Sequence, residues 1–165
     1  MEIDETIQVP ADPQTVWALL SDPYAVVECV SGASLGDQRE DGSYDAKLTV
    51  KFGPAKVAFG ARVDIEMDAR ARSGTVAARG KDQLGGTRFA ASTIFRVESP
   101  AAGEVPGSGS IILVHSEVEI AGRLASLIES GASLVVKRMT RDFAEQLTAR
   151  CAAVADAAGT TSGCD

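Results

Sequence analysis

The stretch "SIILVHSEVEIAGRLASLIESGASLVVKRMTRDFAEQL", from Ser110 to Leu147, changes its period in the middle. Up to Gly122 it alternates. Ile112, Val114, Val118 and Ile120 share one side of a strand, with the hydroxyl of Ser116 among them. After Arg123 the spacing becomes three and four. Leu124, Leu127, Ile128, Leu134, Val135, Met139, Phe143 and Leu147 form one stripe. This predicts a helix of roughly 30 residues, longer than the usual 8–20. Gly131 interrupts it at a cost on the order of 1 kcal/mol, and marks a place where a strand or ligand can come close.

Working back from that helix, the chain reads as strand after strand. "GGTRFAASTIFRVES" puts Phe89, Ala91, Thr93, Phe95 and Val97 on one face. "SGTVAARGK" is a strand poor in large side chains, offering Ala77, Ala78 and Gly80 to the inner wall. "KVAFGARVDIEM" alternates Val57, Phe59, Ala61, Val63, Ile65 and Met67 with polar or small residues. Gly53-Pro54 joins it to "SYDAKLTVKF" as a hairpin turn. "SLGDQRE" is a weak strand, and "PAAGEVPGSG" is a loop rich in Gly and Pro.

The N-terminal "MEIDETIQVP" is a first strand with Ile3, Ile7 and Val9 on one face and Glu5 between them. Two short helices follow. Asp12 and Asp22 suit the N-cap, and Pro13 and Pro23 suit the first helical position. Residues 1–150 are thus expected to form one domain, and residues 151–165 a short flexible tail. A sheet with one apolar face must bury it, and only the C-terminal helix is large enough. A curved sheet wrapped around one helix leaves space between them, so the element order predicts a pocket.

Composition narrows the function. The chain has 165 residues, 45% hydrophobic, with a net charge of -7. An acidic balance argues against general nucleic-acid binding, which needs Lys/Arg clusters. No run reaches the roughly 18 apolar residues of a membrane span. The first residues lack a basic and apolar leader pattern, so the expected compartment is the cytoplasm. Cys29, Cys151 and Cys164 are an odd set without C-x-x-C spacing, against a disulfide framework or zinc knuckle. His115 is the single histidine and alternates outward beside Glu117 and Glu119, which removes most triad and metal schemes. "GKDQLGG" does not lead from strand to helix as a phosphate loop does, and reads as a turn. No catalytic residue, metal or cofactor is expected.

"VWALLSDP…ECVSGA", "VKFGPAKVAFGARVDI", "ARGKDQLGGTRFAAS" and the Val114–Leu147 stretch together resemble the carbon monoxide dehydrogenase CoxG family. That family belongs to the START/Bet v 1-like helix-grip superfamily, also called SRPBCC. The likeness covers most of residues 3–147. It departs where the family reads C-x-P-G and this chain reads Cys29-Val30-Ser31-Gly32. The resemblance implies an α+β helix-grip fold, with a curved seven-stranded antiparallel sheet around a long C-terminal helix and two short helices after the first strand. It implies a non-enzymatic accessory of a CO dehydrogenase-type molybdenum hydroxylase, with a quinone-like apolar molecule in the cavity. It implies a link from that enzyme to the membrane quinone pool, with peripheral contact at the inner face of the membrane. Some members carry a C-terminal membrane-binding segment that the tail here does not resemble.

The ligand candidates are inward residues near the long helix and the mouth: Trp17, Tyr24, Phe52, Phe59, Val63, Phe89, Phe95, Leu127, Met139 and Phe143. Aromatic faces suit a planar ring and Met adapts in shape. Thr93 and Ser116 add inward hydroxyls that could donate to a ligand carbonyl, or bond to a neighbouring strand. For any one residue, ordinary core is the competing role. For the set the pocket reading wins, because only 5% of residues are aromatic and one wall is small. Arg138 and Asp142, at i and i+4, are expected to pair along the helix or to clamp one pocket end. The alternatives are a helix-grip cyclase, hydrolase or isomerase using the same cavity, and an interaction module with a collapsed pocket.

Overall fold

The computed structural model describes residues 1–100 and 109–163. Strand β1 (Glu2–Val9) stops at Pro10, and two aspartate-proline pairs then start helices α1 (Pro13–Leu20) and α2 (Pro23–Glu28). Both aspartates cap as expected. Asp12 accepts from the Thr15 amide at 2.9 Å, and Asp22 from the Tyr24 amide at 3.0 Å. The Thr15 amide and hydroxyl on Asp12 hold its carboxyl below the usual carboxylate range.

Six strands follow: β2 (Ala33–Gln38), β3 (Tyr44–Phe52), β4 (Ala55–Asp68), β5 (Ser73–Asp82), β6 (Thr87–Glu98) and β7 (Ser110–Gly122). With β1 they form one antiparallel seven-stranded sheet in the order β1-β7-β6-β5-β4-β3-β2. Every neighbour pair except β1-β7 is consecutive in the chain. Helices α1 and α2 carry the chain from one sheet edge to the other. Gly53 and Pro54 make the two-residue turn between Phe52 and Ala55. Gly53 has φ +63°, and a glycine first in such a turn matches the twist of the hairpin. Most of the expected loop between β6 and β7 lies outside the described residues, as does Cys164.

Helix α3 (Ala125–Gly163) is longer than the sequence predicts. The segment expected to be a tail continues the helix, and Cys151 on it is buried. Small residues such as those of Ala152–Ala158 are good helix formers even where they carry no apolar stripe. At the other end, Thr87 in β6 fixes the helix start. Its buried hydroxyl accepts from the Leu124 amide at 2.9 Å, and its own amide donates to Asp82 Oδ1 at 3.3 Å. The turn read from "GKDQLGG" thus begins at a buried carboxylate.

Helix α3 lies closest to β1 and β3 and touches β7 less, so it leans on the two sides of the sheet rather than its centre. The core is correspondingly split in two. One cluster joins Ile7, Val9, Val16, Trp17, Leu20, Cys29, Val97 and Ile112 to Leu147 and Cys151 of α3. The other joins Val50, Phe52, Val57 and Phe59 to Ile128 and Val135. Burying each such large aliphatic side chain contributes about 1.5–3 kcal/mol. Gly131 lets the Phe52 ring approach the helix: a Cβ there would lie 3.3 Å from Phe52 Cδ1.

Candidate functional site: the span between the two clusters

Strand pairing lays the concave face out in rows. Two adjacent rows cross its middle. One runs Ile65, Val76, Thr93, Ser116, Ile3. The next runs Tyr44, Val63, Ala78, Ala91, Val118. All ten residues are only half-buried. Rows toward either end contain the fully buried residues, such as Ile7, Ile112 and Val97 or Val50 and Val57. The two ends of the grip are therefore fully buried, while its apolar middle stays partly exposed.

That wall carries few polar groups. Thr93 Oγ1 and Ser116 Oγ lie 2.8 Å apart and share one hydrogen bond across β6 and β7. The pair uses one proton of two, so one hydroxyl proton remains to donate to a guest. Glu5, opposite Val114, also sits on this face and is half-buried.

The predicted ligand residues fall into distinct places. Val63, Thr93 and Ser116 line the open middle. Phe89 and Met139 border it from the β3–β4 side, and Phe95 and Phe143 from the α1 side. Trp17 is buried against Phe95, with ring centroids 6.2 Å apart. Phe52 and Phe59 are buried members of the second cluster, and Phe59 meets Phe89 edge to face at 5.4 Å. Tyr24 is exposed on α2, where its hydroxyl donates to the Gly36 carbonyl at 3.1 Å and its ring meets the edge of Tyr44. Leu127 is exposed and joins neither cluster; Ile128 takes the buried position beside it.

Two expectations about the wall need correction. Ala77 alternates outward and is exposed. Gly80 does face inward but opens no room, because the Phe89 ring lies across it; an added Cβ would come within 2.8 Å of that ring. Gly74 is covered in the same way by Phe95 and Met67. Aromatic rings from the next strand fill the space over each glycine, so the room comes from Ala78, Ala91 and the two hydroxyls. Arg138 also departs from expectation. It makes no ion pair with Asp142 and instead donates to the Lys51 carbonyl at 3.1 Å, tying α3 to the end of β3.

The lip after α2 keeps its glycine for a steric reason. Gly32 has φ +82°, and a Cβ there would lie 2.4 Å from the Thr49 carbonyl oxygen. Cys29 and Cys151 are free and buried in the first cluster, and burial pushes both thiols up. His115 points outward as its alternation requires, with Nδ1 2.6 Å from Asp4 Oδ1. The Asp4 hydrogen bond pushes its pKa up. His115, Glu2 and Glu117 bring ligand-type atoms within 4.8 Å of one another on that outer face. With Nδ1 taken by Asp4 and Glu117 3.7 Å from Nε2, a protonated His115 ties β1 to β7 by ion pairs. No helix among the described residues is long and apolar enough to cross a membrane.

Solved structures share this architecture. A conserved protein from Geobacillus kaustophilus superposes with a TM-score of 0.76 at 18% identity, over 92% of this chain and 95% of that one. The Zhui aromatase/cyclase from Streptomyces sp. R1128 gives 0.60 at 14% identity, over 92% and 93%. A START superfamily protein from Mycobacterium smegmatis gives 0.53 at 16% identity, over 93% and 98%. At such identities the likeness shows the fold alone, and that fold is the START-like helix-grip. No curated protein sequence matches the chain. Residues 6–152 match the family model for CoxG of carbon monoxide dehydrogenase, and the chain belongs to that family.

Proposed function

We propose that the protein binds a hydrophobic small molecule in the middle of its grip and carries it without transforming it. The observation behind this is the half-buried apolar middle between two sealed ends. An apolar wall exposed to water is costly to keep, and an apolar guest would remove it from water at about 25 cal/mol per Å2. A planar dione suits the site: the rings of Phe89 and Phe95 flank the opening, and Thr93 or Ser116 supplies one donor to a carbonyl. Family membership extends the proposal to a quinone-like guest and to service as an accessory of a CO dehydrogenase-type molybdenum hydroxylase. In that role the chain shuttles between the enzyme and the inner face of the membrane, which it touches peripherally.

The single Trp17 gives a direct test, because it packs on Phe95 at the edge of the site. Titration with 2-methyl-1,4-naphthoquinone should quench Trp17 saturably at one equivalent, and the quinone should be recovered unchanged. Linear, non-saturating quenching would sink the carrier reading. A transformed quinone would favour an enzyme of the same fold, a reading that draws on Glu5 and the Thr93–Ser116 pair on the concave face.

A further inference from the structure

The outer face of the sheet carries a second feature that the grip does not use. Around Gly60 lies a depression of about 820 Å3 whose walls include Lys47, Arg62, Lys81 and Arg88. Pairing puts Lys47 opposite Gly60, Gly60 opposite Lys81, and Lys81 opposite Arg88, in one row across β3 to β6. Strands about 4.8 Å apart bring these charges close together. One row along, Arg62 faces Arg79. Like charges placed directly opposite destabilise a sheet, so two such pairs side by side cost stability that a counter-charge would recover.

Arg62 lies opposite Asp45 and near Asp41, whose carboxyl it helps to hold low, but no ion pair within the described residues closes on any of the five. Among the described residues, Lys47, Arg62, Arg79, Lys81 and Arg88 make no ion pair and no side-chain hydrogen bond. Two carboxylates border the depression. Asp45 is held by Arg39 at 2.7 Å, and Asp82 is buried with one oxygen on the Thr87 amide. The floor is recessed because Gly60 has no side chain, and a Cβ there would meet nothing within 4 Å.

We propose that this depression is a docking site for a short acidic segment of a partner protein, lying extended across β3 to β6. Carboxylates then replace the missing counter-charges of the Lys81–Arg88 and Arg62–Arg79 pairs. The site is local. On the same sheet face, the β1–β7 end presents Glu2, Asp4, Glu117 and Glu119. A long polyanion or an anionic bilayer would meet those acids, whereas a short segment seated around Gly60 does not. A planar bilayer also cannot enter a recessed floor. The site does not depend on what the grip carries.

Fluorescence anisotropy with a fluorescein-labelled oligoglutamate peptide tests this on the full chain. Binding should saturate at one equivalent and weaken with salt. The double variant Lys81→Glu/Arg88→Glu should weaken it about tenfold or more, against less than about twofold for Lys137→Glu/Arg141→Glu on α3, which changes net charge equally. Gly60→Leu should fill the floor and also abolish binding, with circular dichroism confirming that each variant is folded. Absence of saturable binding, equal loss in both double variants, or no effect of Gly60→Leu would each overturn the proposal. Flotation with phosphatidylglycerol vesicles is the competing arm. Capture by vesicles that depends on Lys81 and Arg88, without peptide binding, would reassign the face to a lipid surface and overturn the peptide site.

Discussion

The two ends of the grip and its middle are built from the same strands, yet they pack differently. At the ends, α3 drives Leu147 and Ile128 between large side chains of the sheet. In the middle the sheet offers Ala78, Ala91, Thr93 and Ser116, and the helix leans on β1 and β3 instead. Stability and function are thus separated along one helix. The clusters hold the helix in place, and the span between them is left for a guest.

The comparison breaks first if the ends do not dominate stability. Leu147→Ala removes a side chain that is 1% exposed, and should cost about 3 kcal/mol in urea denaturation. A loss below about 1 kcal/mol would mean that this cluster is not the anchor. The glycines under the rings come next. Gly80→Ala should cost about 2 kcal/mol, because its Cβ would sit 2.1 Å from the Gly60 carbonyl oxygen, a backbone atom that cannot swing aside. An unchanged midpoint would show that the sheet relaxes there.

In the middle the expected effect is small. Val118→Ala should cost about 1 kcal/mol or less, since the side chain already meets solvent. A loss matching that of Leu147→Ala would mean that the middle is solid core. Smallest is the outer-face contact between β1 and β7. Asp4 raises the His115 pKa, so the pair's contribution is complete below the ordinary imidazole value of 6.5 and fades as pH rises through the raised value. His115 is the only histidine, so its imidazole proton shift can be followed alone. Asp4→Asn should lower its midpoint; an unmoved midpoint would remove Asp4 as the cause.

Much of the fold is legible in local pattern. Alternation in β3, β4, β6 and β7, the Asp-Pro helix starts and the Gly53-Pro54 turn are short-range signals, and each forms as expected. What escapes local reading depends on register. That Phe89 covers Gly80, or that Lys81 faces Arg88, follows only once β5 is set against its neighbours. The Asp82–Thr87–Leu124 tie escapes for a related reason: its Thr87 hydroxyl reaches across to residue 124, beyond any local pattern. The candidate ligand residues divide along the same line. Aromatic type marks Phe89 and Phe95 from sequence, whereas Ala78 and Ala91 matter through what they fail to fill.

Ala91 is therefore where the open middle is most directly tested. Ala91 belongs to neither buried cluster, and Ala91→Phe places a ring in the open row between Ala78 and Val118. Titrating both proteins with 2-methyl-1,4-naphthoquinone, read through Trp17, should show saturable binding in the parent and none in the variant. The variant's thermal midpoint should stay within about 4 °C, the shift of roughly 1 kcal/mol. Equal binding in both proteins, or a variant that fails to fold because no space exists there, would contradict the open middle.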